Sequence, residues 1–513
     1  MPSSRIVVVG AGIGGLVAAL ELAACGLEVV VCESARQPGG KIRQVPAGGS
    51  LQNAGPTVFT MKWVFEELFA QVGETMSDHL HLSKLETLAR HFWDAGEAST
   101  DRLDLLADIN ASANAIGEFA GAAEARRYRA FCERTRQIYQ TLESPYLRAA
   151  RPSPASLAWA VGRDSMKGLA QISPFGSMWG ELGRYFHNPR LRQLFGRYAT
   201  YCGSSPFHAA ATLMLVAHVE QEGVWSLEGG MHALAAKLAQ LATKKGASFR
   251  YGAQVSEVLI RGAKARGVQL ADGDVIDAAA VIFNGDSAAL ASGLLGADLT
   301  RATSAPKAMQ RSLSAITWNL VAPASGPPLS MHNVFFSHDS QSEFDALFAQ
   351  GKLPADPTVY VCAQDHFEGK LPIRDEPLRL FCLINAPATA DQPHALTPAD
   401  IERAEAATFA KLQRCGLQLG GAARDGLRTT PADFNRLFPA TGGALYGQAS
   451  HGWRSAFERP GARSKIECLY LAGGSAHPGP GVPMAALSGR QAAASVIADL
   501  RKAIAHDDSI RQL

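Results

Sequence analysis

The run Ile6-Val7-Val8-Val9 passes directly into Gly10-Ala11-Gly12-Ile13-Gly14-Gly15, and a second apolar run, Glu28-Val29-Val30-Val31-Cys32, closes on Glu33. No other feature constrains the fold as strongly. A β-branched run of this length reads as a buried parallel strand. Gly10 allows the tight turn after it, Gly12 lets the backbone approach a pyrophosphate, and Gly15 lets the next helix pack closely on the sheet. The helix N-terminus then faces the phosphates, and Glu33 is placed to accept hydrogen bonds from an adenosine ribose. A lone glycine triplet also occurs in ordinary packing turns. Here strand, glycines, helix, second strand and acidic residue arrive in order, and they predict a dinucleotide site built on Gly10, Gly12, Gly14, Gly15 and Glu33.

Ile6 to Leu20 carries no charge, yet its glycines and the single Arg5 ahead of it do not fit a secretory segment behind a basic leader. No later stretch reaches the ~18 consecutive apolar residues of a spanning helix, so the chain is expected not to be integral to a membrane. Its 513 residues suffice for two or more domains. A net charge of +2 with no block of like charges argues against nucleic acid as a partner. The eight cysteines form no CxxC pair and no metal-ligand spacing. They are expected as buried thiols of a reducing, cytoplasmic compartment, with no metal site.

Past Glu33, Arg36-Gln37-Pro38-Gly39-Gly40-Lys41 forms a Gly-Gly turn flanked by cations, placed to approach a diphosphate from the side opposite the helix terminus. A nicotinamide enzyme has no need of it. Together with Asn53-Ala54-Gly55-Pro56-Thr57, this stretch is similar to the signature of the FAD-dependent amine oxidase and phytoene desaturase superfamily, where the cofactor lies beneath a Gly-Gly-Arg or Gly-Gly-Lys turn. The resemblance implies FAD as the cofactor and adds Gly39, Gly40, Lys41, Gly55, Pro56 and Thr57 to its expected contacts. Where the family usually carries Asp, this chain has Asn53, which keeps a hydrogen-bonding side chain and loses the charge.

Further along, Gly223 to Met231 leads into a helix with Met231, Leu234, Leu238 and Leu241 on one face, closed by Gly246. Short strands follow, broken at Gly262 and at Asp272-Gly273. The resemblance implies that Val255, in this return, touches the adenine side through its backbone. Ala280 to Phe283 reads as a strand, after which Asp286 is either a helix N-cap ahead of Ser287 or a cofactor contact.

Cys468 to Met484 reads as a strand that turns through Gly473, Gly474, Gly479 and Gly481 into a helix, with Pro483 at its first position. Small residues at Ala485, Ala486, Gly489, Ala492 and Ala493 leave room for a flat ring against that helix terminus, whose amides favour negative charge on a reduced flavin. Gly474, Pro483 and Met484 therefore join the expected cofactor set. For His477 a structural hydrogen bond is preferred over catalysis, and no catalytic residue is assigned.

Gly443-Ala444-Leu445-Tyr446-Gly447, Ser450-His451-Gly452-Trp453, Arg459 to Arg463 and the run His477 to Gly489 closely resemble carotenoid desaturases of the phytoene desaturase family. Within it they look most like the 1-hydroxycarotenoid 3,4-desaturases, also called methoxyneurosporene dehydrogenases. Ala54 to Met61 and Leu88 to Trp93 agree. The resemblance implies an α/β chain: a discontinuous Rossmann-like FAD-binding domain over 1–96, 223–302 and 437–513, and an α+β substrate domain over 97–222 and 303–436. In the latter, helices are expected around Phe131 to Leu147, Leu191 to Tyr201 and Ala209 to Ala217, and from Ala399 to Cys415. Strands are expected at Leu313 to Val321, Thr358 to Cys362 and Leu378 to Ile384. The charge-poor stretch Leu169 to Trp179 offers Phe175, Met178 and Trp179, for which core packing and membrane contact are both open.

The implied activity is FAD-dependent desaturation of a lipophilic acyclic carotenoid in carotenoid biosynthesis, by a cytoplasmic protein in peripheral contact with the membrane. A saturated bond beside a polyene gives up hydride from one carbon and a proton from its neighbour. Charge delocalisation along the polyene lowers the demand on a base, and the sequence offers no His-Asp or paired-carboxylate constellation to act as a strong one. With no second GxGxxG after a strand, quinone or oxygen is the expected electron acceptor. The rival readings are a phytoene desaturase, a flavin-dependent carotenoid isomerase and a non-catalytic carotenoid carrier that holds FAD.

Overall fold

The computed structural model describes residues 5–94, 100–157, 159, 176–304, 306–366, 376–420 and 426–511. Five parallel strands form one sheet in the order Leu469–Leu471, Ala280–Phe283, Ile6–Val9, Val29–Glu33, Ser248–Tyr251. Such strands read as continuous apolar runs because both faces are covered. Helices Ile13–Ala24, Met231–Lys244 and Val482–Arg511 pack on one face. The antiparallel strands Val255–Arg261, Lys264–Leu270 and Val275–Asp277 cover the other through Val258, Val268 and Leu270. Three distant stretches of chain thus build one α/β layer structure, with the glycine loop at the carboxyl end of its central strand.

A seven-stranded sheet forms the second unit, in the order Leu427–Thr429, Ser314–Ala322, Leu378–Ala386, Val359–Ala363, His332–Phe335, Thr87–Asp94, Thr100–Leu106. One face packs on helix Pro398–Arg414 through Ile316, Trp318, Val361 and Leu380. The opposite face, carrying Val334, Tyr360, Cys362 and Phe381, packs toward helices Ala122–Leu142, Met178–Tyr185 and Pro189–Gly196. The strands and the long helix lie within one or two residues of expectation. The boundary expected between residues 96 and 97 does not match the sheet. Thr87–Asp94 pairs in parallel with His332–Phe335, so the chain enters the second unit before Thr87. Ala209 to Ala217 is also not one helix: a short 3-10 turn, Ala211–Met214, precedes helix Leu215–Glu222.

Residues 169–175 of the charge-poor stretch lie outside the described residues. Met178 is fully buried, and the half-buried Trp179 ring lies 4.6 Å from Phe207 with the Arg192 guanidinium 4.3 Å from its centre. Met178 is therefore a core residue, while Trp179 packs on one side and stays partly exposed. Among the described residues no helix is long and apolar enough to cross a membrane.

Candidate cofactor site and the adjoining sheet face

Gly10 adopts φ +97°, a conformation that glycine alone takes at little cost. A Cβ on Gly15 would stand 2.2 Å from the Gly10 carbonyl oxygen, so the first helix rests directly on the end of the first strand. The space between the glycines is filled by Asn284, just past strand Ala280–Phe283. Its Nδ2 donates to the Gly10 carbonyl at 3.2 Å, and its side chain would lie 2.8 Å from a Cβ on Gly12 and 2.6 Å from one on Gly14. Helix Ile13–Ala24 starts at Gly12 with no side-chain cap and no acidic residue in its first turn. Its positive end is therefore left for an anion.

Glu33 is buried, and its carboxylate accepts from the Ala11 N–H at 2.6 Å, the Ala35 N–H at 2.8 Å and the Ser34 hydroxyl at 3.2 Å. It braces the glycine loop from the neighbouring strand. The N–H groups of Gly252 and Ala253 donate to the Ala35 and Glu33 carbonyls, both at 2.9 Å, which sets Val255 beside this end of the sheet.

The Gly-Gly turn lies against the glycine loop. Gly39 N–H donates to the Ala11 carbonyl at 2.8 Å, and a Cβ on Gly40 would be 3.3 Å from the Gly12 Cα. Gly55 closes onto the same turn, where a Cβ would meet the Lys41 carbonyl at 2.0 Å. Lys41 Nζ donates to the Leu445 carbonyl at 2.6 Å. Burial pulls its pKa below the ordinary lysine range, opposed by the charge of Asp286 and assisted by that of Arg459.

Asn53 Oδ1 accepts the His232 N–H at 3.1 Å, in the first turn of helix Met231–Lys244, while His232 Nε2 donates to the Pro38 carbonyl at 3.1 Å. The side chain at position 53 therefore caps a helix that also steadies the Gly-Gly turn, a task an amide performs without charge. Asp286 is an N-cap, accepting the Ala288 N–H at 3.0 Å.

At the C-terminus, a Cβ on Gly489 would stand 2.2 Å from the Gly14 carbonyl oxygen, and one on Gly14 would stand 2.7 Å from Gly473 N. Helices Ile13–Ala24 and Val482–Arg511 thus touch backbone to backbone, and the turn from Gly473 to Met484 shares a wall with the glycine loop. Pro483 is the second residue of the helix, one position beyond the expected first, and Met484 is half-buried. Buried Arg459 donates to the carbonyls of Tyr446 and Gly474 at 3.1 Å each and of Gln448 at 2.5 Å, fixing Gly474 in place. His477 Nε2 donates to the Tyr146 carbonyl at 3.0 Å, and burial pushes its pKa down to about 4. The uncapped helix end, the close-set glycine turns and the cations Lys41 and Arg459, which donate to backbone carbonyls, fit an extended dinucleotide diphosphate.

The segment carrying Gly55, Pro56 and Thr57 seats on the seven-stranded sheet. Asn319 Nδ2 and Gln364 Nε2 donate to the Asn53 carbonyl at 3.0 and 2.9 Å. Thr57 Oγ1 and Tyr360 Oη are 2.6 Å apart, and Tyr360 Oη is 2.7 Å from His332 Nδ1. The Arg197 guanidinium lies 5.5 Å from the centre of the Tyr360 ring and 5.7 Å from that of Tyr201. Behind Tyr201, buried Glu220 accepts from the hydroxyls of Tyr201, at 2.8 Å, and Tyr198. Burial, and secondarily the Arg197 charge, push both His91 and His332 down to about 3. The imidazoles on this face are neutral and weakly basic, and Arg197 adds a positive charge near them.

Sequence reasoning missed Asn284, Arg459, Arg197, Glu220, Tyr360 and His332. Asn284 had a usable signal, since it ends a core strand two residues before the cap at Asp286. The others meet only through strand and helix pairing.

Residues 13–497 match the family model for flavin containing amine oxidoreductases. The hydroxyneurosporene desaturase of Rubrivivax gelatinosus is 52% identical over 496 residues, covering 97% of this chain and 94% of that protein. The hydroxyneurosporene desaturase of Cereibacter sphaeroides is 42% identical, covering 97% of this chain and 98% of that protein. The solved structure of putrescine oxidase bound to putrescine superposes with a TM-score of 0.61 at 16% identity, covering 96% of this chain and 99% of that one. At that identity the likeness is one of fold.

Proposed function

Since the chain belongs to the family of flavin containing amine oxidoreductases, we propose that it binds FAD and desaturates an acyclic hydroxylated carotenoid, at the 3,4 bond of a 1-hydroxycarotenoid. The observation that carries this reading is the 52% identity to a hydroxyneurosporene desaturase along 97% of the chain. The chemistry of the sheet face supports it. The Arg197 guanidinium on this face disfavours a second cation such as a protonated amine, whereas a neutral polyene carries no charge for it to repel.

In this reading Gly10, Gly12, Gly14, Gly15, Gly39, Gly40 and Gly474 give backbone access to the cofactor, and Glu33 and Val255 serve its adenosine end. Lys41 and the 55–57 segment flank it, with Pro483 and Met484 at the C-terminal helix. FAD held there would supply the two-electron oxidation, a hydride leaving one carbon of the bond and a proton the other. The chain's own part would be to orient the bond and limit access of bulk water; with the imidazoles at pKa near 3, the acidic proton of a polyene-stabilised cation would pass to a water molecule. Electrons then pass to a quinone or oxygen, and the lipid-soluble substrate enters from a membrane surface touched peripherally.

The test is anaerobic: the purified yellow protein is mixed with 1-hydroxyneurosporene in liposomes. Flavin bleaching together with a red-shifted polyene spectrum is expected. An oxidised flavin and unchanged spectrum refutes the reading, bleaching by phytoene alone moves the substrate to phytoene, and a spectral shift without any acceptor or net bleaching makes the reaction an isomerisation.

A further inference from the structure

Three side-chain atoms on the inward face of the seven-stranded sheet are buried without a hydrogen-bond partner among the described residues: Thr317 Oγ1, Asn319 Oδ1 and His332 Nε2. Cross-strand registers place Asn319, Phe381, Cys362 and His332 in one row across that face, with Thr317, Leu383, Tyr360 and Val334 in the next. Phe381 and Cys362 make the middle of the first row apolar, and in the second Leu383 lies beside Tyr360. The three atoms are not equivalent. Thr317 carries a rotatable hydroxyl, and the Asn319 amide is held by its own two donations, to the Gln52 side chain at 3.4 Å and the Asn53 carbonyl at 3.0 Å. His332 is 2% exposed, and its ring is fixed through Nδ1 by Tyr360.

Tyr360 Oη is shared between Thr57 Oγ1 and His332 Nδ1, and one phenol has one proton. If Thr57 donates to Tyr360 and Tyr360 to His332, then neutral His332 carries its proton on Nε2 and needs an acceptor. If the chain runs the other way, Nδ1 is the donor and Nε2 needs a donor. Burial with Arg197 nearby holds His332 neutral in either case. A hydroxyl is the simplest uncharged group that satisfies Nε2 under both polarities. A methyl group satisfies neither and leaves a buried nitrogen unpaired.

We infer that His332, held by Tyr360 and Thr57, is the anchor for the terminal hydroxyl of the carotenoid. The inference rests on the carotenoid reading above and deepens it. Thr57 belongs to the segment assigned to the cofactor, so the anchored hydroxyl stands three hydrogen bonds from that segment, through His332 and Tyr360. The 3,4 bond of a 1-hydroxycarotenoid begins only two carbons from the carbon bearing the oxygen. One hydrogen bond at the chain end therefore sets which bond meets the cofactor, and His332 acts as a positioning and specificity-determining residue.

The experiment compares kcat/KM for 1-hydroxyneurosporene and neurosporene in wild-type holoenzyme, His332→Phe, His332→Gln and Tyr360→Phe, each checked for flavin content. Wild type is expected to favour the hydroxylated compound. His332→Phe lowers that preference by about tenfold or more, through loss on the hydroxylated compound alone, because removing a buried polar partner discriminates far more than adding a methylene. His332→Gln, which keeps an amide at the same depth, recovers part of it. Should His332→Phe lose flavin, Tyr360→Phe, which deletes a single oxygen, must lower the same ratio. A preference that survives both variants, or equal losses on both compounds, overturns the anchor while leaving the desaturase reading intact. Wild type that oxidises neither carotenoid overturns both.

Discussion

Replacing Gly489 with alanine tests whether the contact between the first and last helices builds the cofactor site. In an ordinary helix interior this change stabilises by up to about 1 kcal/mol through propensity. At Gly489 the new Cβ would stand 2.2 Å from the Gly14 carbonyl oxygen and 3.1 Å from the Gly14 Cα. These are backbone atoms, so no rotamer change relieves the clash, and the helices must separate by about 1 Å to reach normal contact. Overpacking of this kind costs about 1–3 kcal/mol, which exceeds the propensity gain. With an unfolding entropy of about 2.1 cal/mol/K per residue, 2 kcal/mol corresponds to a fall of about 2 °C for a chain of this length. The displaced groups include Gly14 and the helix following Gly481, so flavin retention falls with Tm. Gly117→Ala is the control: its Cβ would meet only the Ala125 Cβ, at an ordinary 3.5 Å, so Tm holds or rises with flavin content unchanged. Thermal unfolding and flavin-to-protein ratios of both variants decide the matter. Gly489→Ala with wild-type Tm and full flavin content refutes the argument.

Glu33→Ala removes the acceptor of the Ala11 and Ala35 N–H groups as well as the proposed ribose partner. Flavin affinity by equilibrium dialysis is expected to fall about tenfold or more; unchanged affinity contradicts the assignment. Burial raises the pKa of Glu220 above the ordinary 4.5. The protonated form is thus favoured by folding, and its contribution is fully present below about 4.5 and lost as pH rises through the folded value. Glu220→Gln should therefore flatten the decline of the urea midpoint with rising pH; parallel profiles for variant and wild type argue against it.

The cofactor half of the molecule is legible in the sequence because its determinants are local. Strand, turn glycines, helix and Glu33 occupy one continuous stretch; the positive φ of Gly10 and the contact of Gly15 with the Gly10 carbonyl answer to their spacing, while the approach of Asn284 and Gly473 to Gly12 and Gly14 does not show in it. The helix Pro398–Arg414 and the strands around Trp318, Tyr360 and Phe381 are legible for the same reason, from apolar runs bounded by turn residues. What escapes is pairing between distant strands. Thr87–Asp94 joins His332–Phe335 across more than two hundred residues, and nothing in either segment names the other. Tyr360 illustrates the same loss within a recognised strand. In Val-Tyr-Val-Cys-Ala both faces are buried, so alternation disappears and the inward residue carries no mark.

Asn53 shows how the two halves are joined. Its side chain accepts from helix Met231–Lys244, whose His232 holds the Gly-Gly turn, and its backbone carbonyl accepts from Asn319 and Gln364 on the seven-stranded sheet. One residue thus ties the Gly-Gly turn to that sheet. A carboxylate here would keep the bond from the His232 N–H and gain from the positive helix end. It would lose the Nδ2 donation to the Gly229 carbonyl, at 3.5 Å a weak bond. The capping geometry therefore tolerates either residue, and the departure from the family pattern at position 53 removes a formal charge without changing the architecture. Lys41, whose charged form burial disfavours, is supported by the charge of Asp286 and opposed by that of Arg459, and a bound diphosphate would favour its charged form further.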